Sequence, residues 1–201
     1  MTTDTKNNNT TVKTPVFRVS FPAVFTPKAA PGSDKLKYSV VMLFDKTADL
    51  TAMKAAVKAA VIGRWGPDST KWPKNLVLPF RKGEEKQLEG YGPGVVFATA
   101  SANAERKPYV VDEAVQAIID PSEFYGGCYA HAKVNAFAWP APGKQGFGKS
   151  GVSFGLQGIQ KVKDGESFSG KSNPENDFDA IPTPATGASA KTTTEDDGLG
   201  L

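Results

Sequence analysis

Residues 125–139 read Tyr-Gly-Gly-Cys-Tyr-Ala-His-Ala-Lys-Val-Asn-Ala-Phe-Ala-Trp, and their alternation decides the fold class. Successive side chains of a strand point to opposite faces. Cys128, Ala130, Ala132, Val134, Ala136 and Ala138 therefore share one side, while Tyr129, His131, Lys133, Asn135, Phe137 and Trp139 share the other. The first side is small and apolar, as the tapered interior of a small barrel requires. Gly126-Gly127 in the same pattern predicts a bulge or sharp bend, which such a barrel needs in order to close. A partner strand over Val152–Val162 turns Val152, Phe154, Leu156, Ile159 and Val162 inward. Its period slips near Gly158, which predicts a second bulge.

Outward from this hairpin, the chain reads as further strands and one helix. From Pro15 to Phe25, Phe17, Val19 and Phe21 alternate with Arg18 and Ser20, a half-buried strand that Pro22 or Pro27 should end. Pro31-Gly32-Ser33-Asp34 is a turn. From Lys35 to Phe44 the residues Leu36, Tyr38, Val40, Met42 and Phe44 alternate inward, and Val41 and Leu43 make the far end apolar on both faces. The next element should cover that end. It is the one convincing helix, about Ala48 to Arg64, with Leu50, Met53, Val57, Ala60 and Val61 at helical spacing. Thr47 or Asp49 could cap it, and Gly63 or Gly66 should stop it. Residues 65–88 read mostly as loop, a length usually tied to function or mobility. Val95–Ser101 and Tyr109–Val111 read as strands on either side of the basic turn Arg106-Lys107-Pro108. Val115–Ile119 fits a strand or one helical turn. The expected class is mainly β with one helix, closed into a small barrel.

Composition sets the limits. The 201 residues allow one domain with a proper core. A polar start over residues 1–11 and a Ser-, Pro-, Thr- and acid-rich end over 171–201 are expected to be flexible, leaving a domain over 12–170. Residues 1–170 carry 22 basic and 15 acidic side chains, net +7, whereas 171–201 carry 2 and 6, net −4. A basic body attracts polyanions, and an acidic tail can compete for the same surface. The single cysteine, Cys128, excludes an intramolecular disulfide and a multi-cysteine zinc site. The single histidine, His131, leaves little room for a nucleophilic triad or a histidine metal cluster. The start has no apolar signal region, and no run approaches a membrane span, so a soluble, intracellular chain is expected.

One motif demands care. Residues 143–150, Gly-Lys-Gln-Gly-Phe-Gly-Lys-Ser, match the phosphate-loop pattern G-x-x-x-x-G-K-[ST] letter for letter. Such a loop needs a helix immediately after it, whose N-terminus holds the phosphates. Gly151-Val152-Ser153-Phe154-Gly155 is instead glycine-rich and alternating, so the segment reads as a basic hairpin loop whose Lys144 and Lys149 can touch the phosphates of a strand. Rings beside cations on the outer face of 129–139 suit stacking and cation–π contacts with bases. Covering of that face by the helix or by a second copy is the alternative. Cys128 reads as a small buried residue, and Asp112, Glu113, Asp120 and Glu123 as solvated turns rather than a magnesium set. A phosphate-loop nucleotide hydrolase and a self-associating virion or scaffold protein are the other classes the residues leave open.

The chain also resembles a family of small bacteriophage and prophage proteins that bind single-stranded DNA through an OB fold. The matching pieces are Phe25-Thr26-Pro27-Lys28, Lys37-Tyr38-Ser39-Val40, Ser122 to Tyr129, Asn135 to Trp139, Gly155 to Val162 with Asp164-Gly165, and Gly170-Lys171-Ser172 through Asp177-Phe178. The resemblance implies an OB barrel and a setting in phage DNA replication, recombination or repair, in the cytoplasm of the infected host cell. The expected partner is single-stranded DNA, with no cofactor, no metal, no catalysis and no membrane. Replication or recombination proteins reached through the tail, and a second copy of the chain, are further expected partners. The residues themselves suggest the contacts: Tyr129, Phe137 and Trp139 for stacking, His131 and Asn135 as polar groups among them, and Lys133, Lys144, Lys149, Arg18, Lys37, Arg81, Lys82, Arg106 and Lys107 for phosphates.

Overall fold

A computed structural model describes residues 10–29, 32–141 and 148–169. The strands are β1 (Thr11–Lys13), β2 (Phe17–Ala29), β3 (Leu36–Phe44), β4 (Phe80–Lys82), β5 (Val96–Asn103), β6 (Tyr109–Val111), β7 (Tyr129–Trp139) and β8 (Gly151–Lys163), with one α-helix, α1 (Thr51–Trp65), between β3 and β4. β2 pairs with β3, β3 with β5, and β7 with both β8 and β2, all antiparallel, while β5 pairs with β8 in parallel. The five long strands thus form a closed ring in the order first, second, third, fifth, fourth and back to the first. β4 extends β5, β6 extends β8 in parallel, and β1 lies along β7.

The small face of β7 and the apolar face of β8 line this ring: Ala130, Val134 and Phe154, with Cys128 just ahead of β7, are fully buried, and Ala132 and Ile159 nearly so. The bulge expected near Gly158 is present, since Lys133 pairs with Gly158 while Val134 pairs with Leu156, leaving Gln157 as the extra residue. A second shift near the end of β8 places Lys161, not Val162, on the inward side opposite Ala130. Its ammonium escapes the core by reaching Asp164 at 2.8 Å. Gly126-Gly127 forms a turn ahead of β7 rather than a bulge within it, so the strand starts at Tyr129 and not at Tyr125.

β2 runs through both of its prolines, contrary to the expected stop. Its register with β3 shifts between Ser20 and Ala23 and again between Ala23 and Lys28. Pro22 and Pro27 fall in these irregular stretches, where no ladder donor is needed. The helix is close to its expected span. Met53, Ala56, Val57, Ala60 and Val61 form its buried stripe and share one core cluster with Ala132 and Val134 of the barrel. Asp49 Oδ1 accepts the Thr51 N–H at 2.9 Å at the start, and Gly66, at φ 87°, donates to the Ile62 carbonyl at 2.8 Å at the end.

The helix does not cover the far end of β3, however. Leu43 packs with Tyr91 and Phe97, and Val41, Val95 and Phe168 complete this second cluster on the outer side of the wall. Alternation revealed that a cover was needed; it could not say that the cover would come from the loop before β5 and from a residue beyond β8.

Candidate nucleic-acid interface

β7 and β8 divide the labour on the outer face. Opposite the large outward residues of β7, β8 presents small ones: Trp139 pairs with Gly151, Phe137 with Ser153, Asn135 with Gly155 and Lys133 with Gly158. A side chain at Gly151 would collide with the Trp139 ring, and one at Gly155 with the Asn135 amide. The larger groups therefore lie down across β8. The Trp139 indole is fixed further by its Nε1–H, which donates to Ser153 Oγ at 2.9 Å. Phe137 is 44% exposed and Trp139 half-buried. A ring held flat on a glycine keeps its other face open, which is the geometry a stacking platform requires.

Beside Trp139 a cleft of about 220 Å³ opens between Leu78, Arg81, Phe97, Thr99 and Ser153. Arg81 pairs with Phe97 and belongs to this outer side, whereas Lys82 alternates to the opposite side, the one on which Phe80 packs edge-on against the buried Phe154 at 5.7 Å. Across β5 and β3 the face continues in small side chains, Ser101 with Ser39 and Thr99 with Val41, and ends at Asn103 with the exposed Lys37. Arg106 and Lys107 are exposed on the turn between β5 and β6, and Lys149 is exposed just ahead of β8. Lys144 lies outside the described residues. The arrangement brings Trp139, Phe137, Asn135, Lys133 and Arg81 onto one surface.

Three of the sequence-derived residues have other attachments. Arg18 donates from Nη2 to the Glu166 carbonyl at 2.8 Å and from Nε to the Gly127 carbonyl at 3.3 Å, and its guanidinium lies 4.2 Å from the Phe168 ring centroid. It clamps the segment that follows β8, hereafter the strap. Tyr129 faces Lys163, whose Nζ is 4.7 Å from the ring centroid, and Gly165 of the strap sits against the same ring. His131 Nδ1 is 2.9 Å from the Thr14 carbonyl. A carbonyl only accepts, so the proton resides on Nδ1 and the ring anchors the chain between β1 and β2. Alternation placed these residues on the correct face but carried no sign of what crosses it. Conversely, Tyr109 and Lys13, both exposed on the same outer surface, were missed; the one available signal was the basic turn leading straight into Tyr109.

The strap is tied down at its root. The Lys161 ammonium holds the Asp164 carboxyl below its ordinary range, and Asp164 in turn raises Lys161 against the downward pull of burial. Tyr125 donates its hydroxyl to Asp164 at 2.9 Å, and Phe168 N–H donates to the Gly126 carbonyl at 3.0 Å. Gly127, at φ 120°, is the residue the strap crosses, and any side chain there would strike the Glu166 carbonyl. Cys128 is buried beneath this knot, and burial pushes its thiol up to about 11, so it is protonated and unreactive near neutrality.

The phosphate-loop reading fails on geometry. β8 begins at Gly151, directly after the motif, where a helix would be needed. Ser150 is buried, its Oγ accepting the Ala141 N–H at 3.0 Å and its carbonyl the Val77 N–H at 2.9 Å. It is a strut at the base of the hairpin. Asp112 and Asp120 accept backbone N–H groups of Gln116 and Ser122 within their own turns.

A closed five-stranded barrel with this strand order is an OB fold, the class whose outer strand face takes extended oligomeric ligands. The chain belongs to the family of the single-stranded DNA-binding protein of Enterobacter phage Enc34, whose sequence profile matches residues 10–192. A relative from Acyrthosiphon pisum secondary endosymbiont phage 1, putative protein p50, is 27% identical over 162 residues, covering 76% of this chain and 83% of its own. Among solved structures, the single-stranded DNA-binding protein from bacteriophage Enc34 superposes with a TM-score of 0.61 at 20% identity, over 85% of this chain and 90% of that one. The same protein in complex with single-stranded DNA gives 0.61 at 20%, over 79% and 89%. No helix among the described residues is long and apolar enough to cross a membrane.

Proposed function

We propose that this protein coats single-stranded DNA with little sequence preference, the strand lying along the outer face of the β7–β8 hairpin. Bases stack on Trp139 and Phe137, Arg81 meets a phosphate at the neighbouring cleft, and Lys133, Lys149 and Lys37 supply further charge. The carrying observation is the Trp139 indole, held flat over Gly151 by its bond to Ser153 with an arginine-lined cleft beside it. Stacking is worth about 1–3 kcal/mol per base and every base has a ring face, so such binding tolerates any sequence. Membership in the Enc34 family supports this reading, and the setting we infer for it is phage DNA replication, recombination or repair. Titration with single- and double-stranded oligonucleotides, followed by tryptophan fluorescence at several salt concentrations, tests it. Preference for the single strand, with affinity falling as salt rises, is expected; equal affinity for both forms, or indifference to salt, refutes it.

A further inference from the structure

We propose that the pocket between β1, β7, β8 and β6 is a second base-stacking subsite, centred on Tyr109, that engages the same DNA strand several nucleotides away from the Trp139 cleft. This inference rests on the single-stranded DNA reading above and extends it to Tyr109 and Lys13, where no contact was expected from the sequence.

Four adjacent strands contribute one row: Tyr109 pairs with Gly158, Gly158 with Lys133, and Lys133 with Lys13. Gly158 is the floor, since a side chain there would overlap the Tyr109 ring. The ring is nevertheless 54% exposed. It repeats the device at the other end of β8, an aromatic laid on glycine with its free face outward. The pocket beside it measures about 380 Å³, and exposed Lys13 and Lys133 form its basic side.

The rim is built and not merely left over. Val115 sits at φ 64°, a conformation β-branched residues rarely adopt, with 67% of its surface exposed. The turn that holds it is closed by Asp112 N–H to the Gln116 carbonyl at 2.9 Å and by Gln116 N–H to Asp112 Oδ1 at 2.8 Å. Gln160 on β8 adds a bond from Nε2 to the Asp112 carbonyl at 3.3 Å. Asp112 thus directs its carboxylate into its own turn, which leaves the two lysines to set the charge of the pocket's basic side.

Gly151 and Gly158 are seven positions apart on β8, roughly 20 Å along the strand allowing for the bulge. At the ~3.4 Å spacing of a stacked strand this is at most about seven nucleotides, and fewer if the strand is extended. An oligonucleotide of two or three thymidines should therefore fill only one subsite, and one of twelve should fill both.

The test is affinity as a function of length. Tyr109→Ala is expected to weaken binding of the twelve-mer about five- to 150-fold, the range given by loss of one stacked base, while leaving the three-mer nearly unchanged. Tyr109→Phe should bind like wild type, and Lys13→Ala should reproduce the length-dependent loss in weaker form. An unchanged melting temperature for Tyr109→Ala shows that the barrel is intact. Full twelve-mer affinity in Tyr109→Ala, alongside a loss in Trp139→Ala, overturns the second subsite and leaves the proposed function standing. So does an equal loss at both lengths. If wild type binds neither oligonucleotide, both proposals fall together.

Discussion

The two ends of the β7–β8 hairpin carry the same kind of outward residue and meet opposite fates. At the Trp139 end, an aromatic ring beside basic groups lies open over small residues of β8. At the Tyr129 end, an aromatic ring beside Arg18 and Lys163 is capped by the strap, with Gly165 against Tyr129 and Phe168 against Arg18. Residue type does not separate a binding surface from a structural seat here; the path of the later chain does. The strap turns Arg18, Tyr129 and Phe168 into a clasp that joins β2, the Gly126-Gly127 turn and the outer cluster of Leu43, Tyr91 and Phe97.

If that contrast is correct, the two ends respond to substitution in different currencies. The largest effect is expected for Phe168→Ala, which removes the ring covering the outer cluster. It should cost about 2–4 kcal/mol of stability, read as a lowered urea midpoint, with single-stranded DNA affinity nearly unchanged. Trp139→Ala should do the reverse, weakening DNA binding by about 1–3 kcal/mol, roughly five- to 150-fold, with little change in the midpoint. A loss of DNA affinity in Phe168→Ala comparable to that in Trp139→Ala would break the comparison. A finer distinction comes from salt. Arg81→Ala should shorten the slope of log affinity against log salt by about 0.7, the share of one neutralised phosphate on a single strand. Arg18→Ala should leave that slope as it was while lowering the urea midpoint.

The hairpin was legible in the sequence because alternation is local: the small face of 128–138, the bulge near Gly158 and the helix stripe over 53–61 each follow from neighbours a few positions apart. The open platform was half legible. Phe137 and Trp139 could be placed on the outer face, but the glycines of β8 beneath the rings matter only once register is known. The strap was not legible, because Arg18 and Glu166 are 148 positions apart and nothing in either segment names the other. β2 was cut short for a related reason. A proline normally ends a strand, and only the irregular pairing with β3 shows that no donor was needed at Pro22 and Pro27.

The smallest expected effect concerns the root of the strap, where pH divides the two ends once more. Lys161 lowers the folded pKa of Asp164 below 3.8, so the native state binds that proton less readily than the unfolded chain does. The resulting stability is present above the unfolded value, near pH 4, and is lost as pH falls through the lower folded value. Lys161 is raised above 10.5, and its contribution is lost only as pH climbs past that point. Between these limits the pair is intact. Because the Asp164 side chain is 71% exposed, solvent screening holds its worth to about 0–1 kcal/mol. Asp164→Asn should therefore lower the urea midpoint slightly at pH 7, and by progressively less as pH falls below about 4 through the lowered folded value. Fluorescence titration at pH 7 should find its single-stranded DNA affinity equal to that of wild type, since this charge pair braces the clasp and Trp139 stands at the other end of the hairpin.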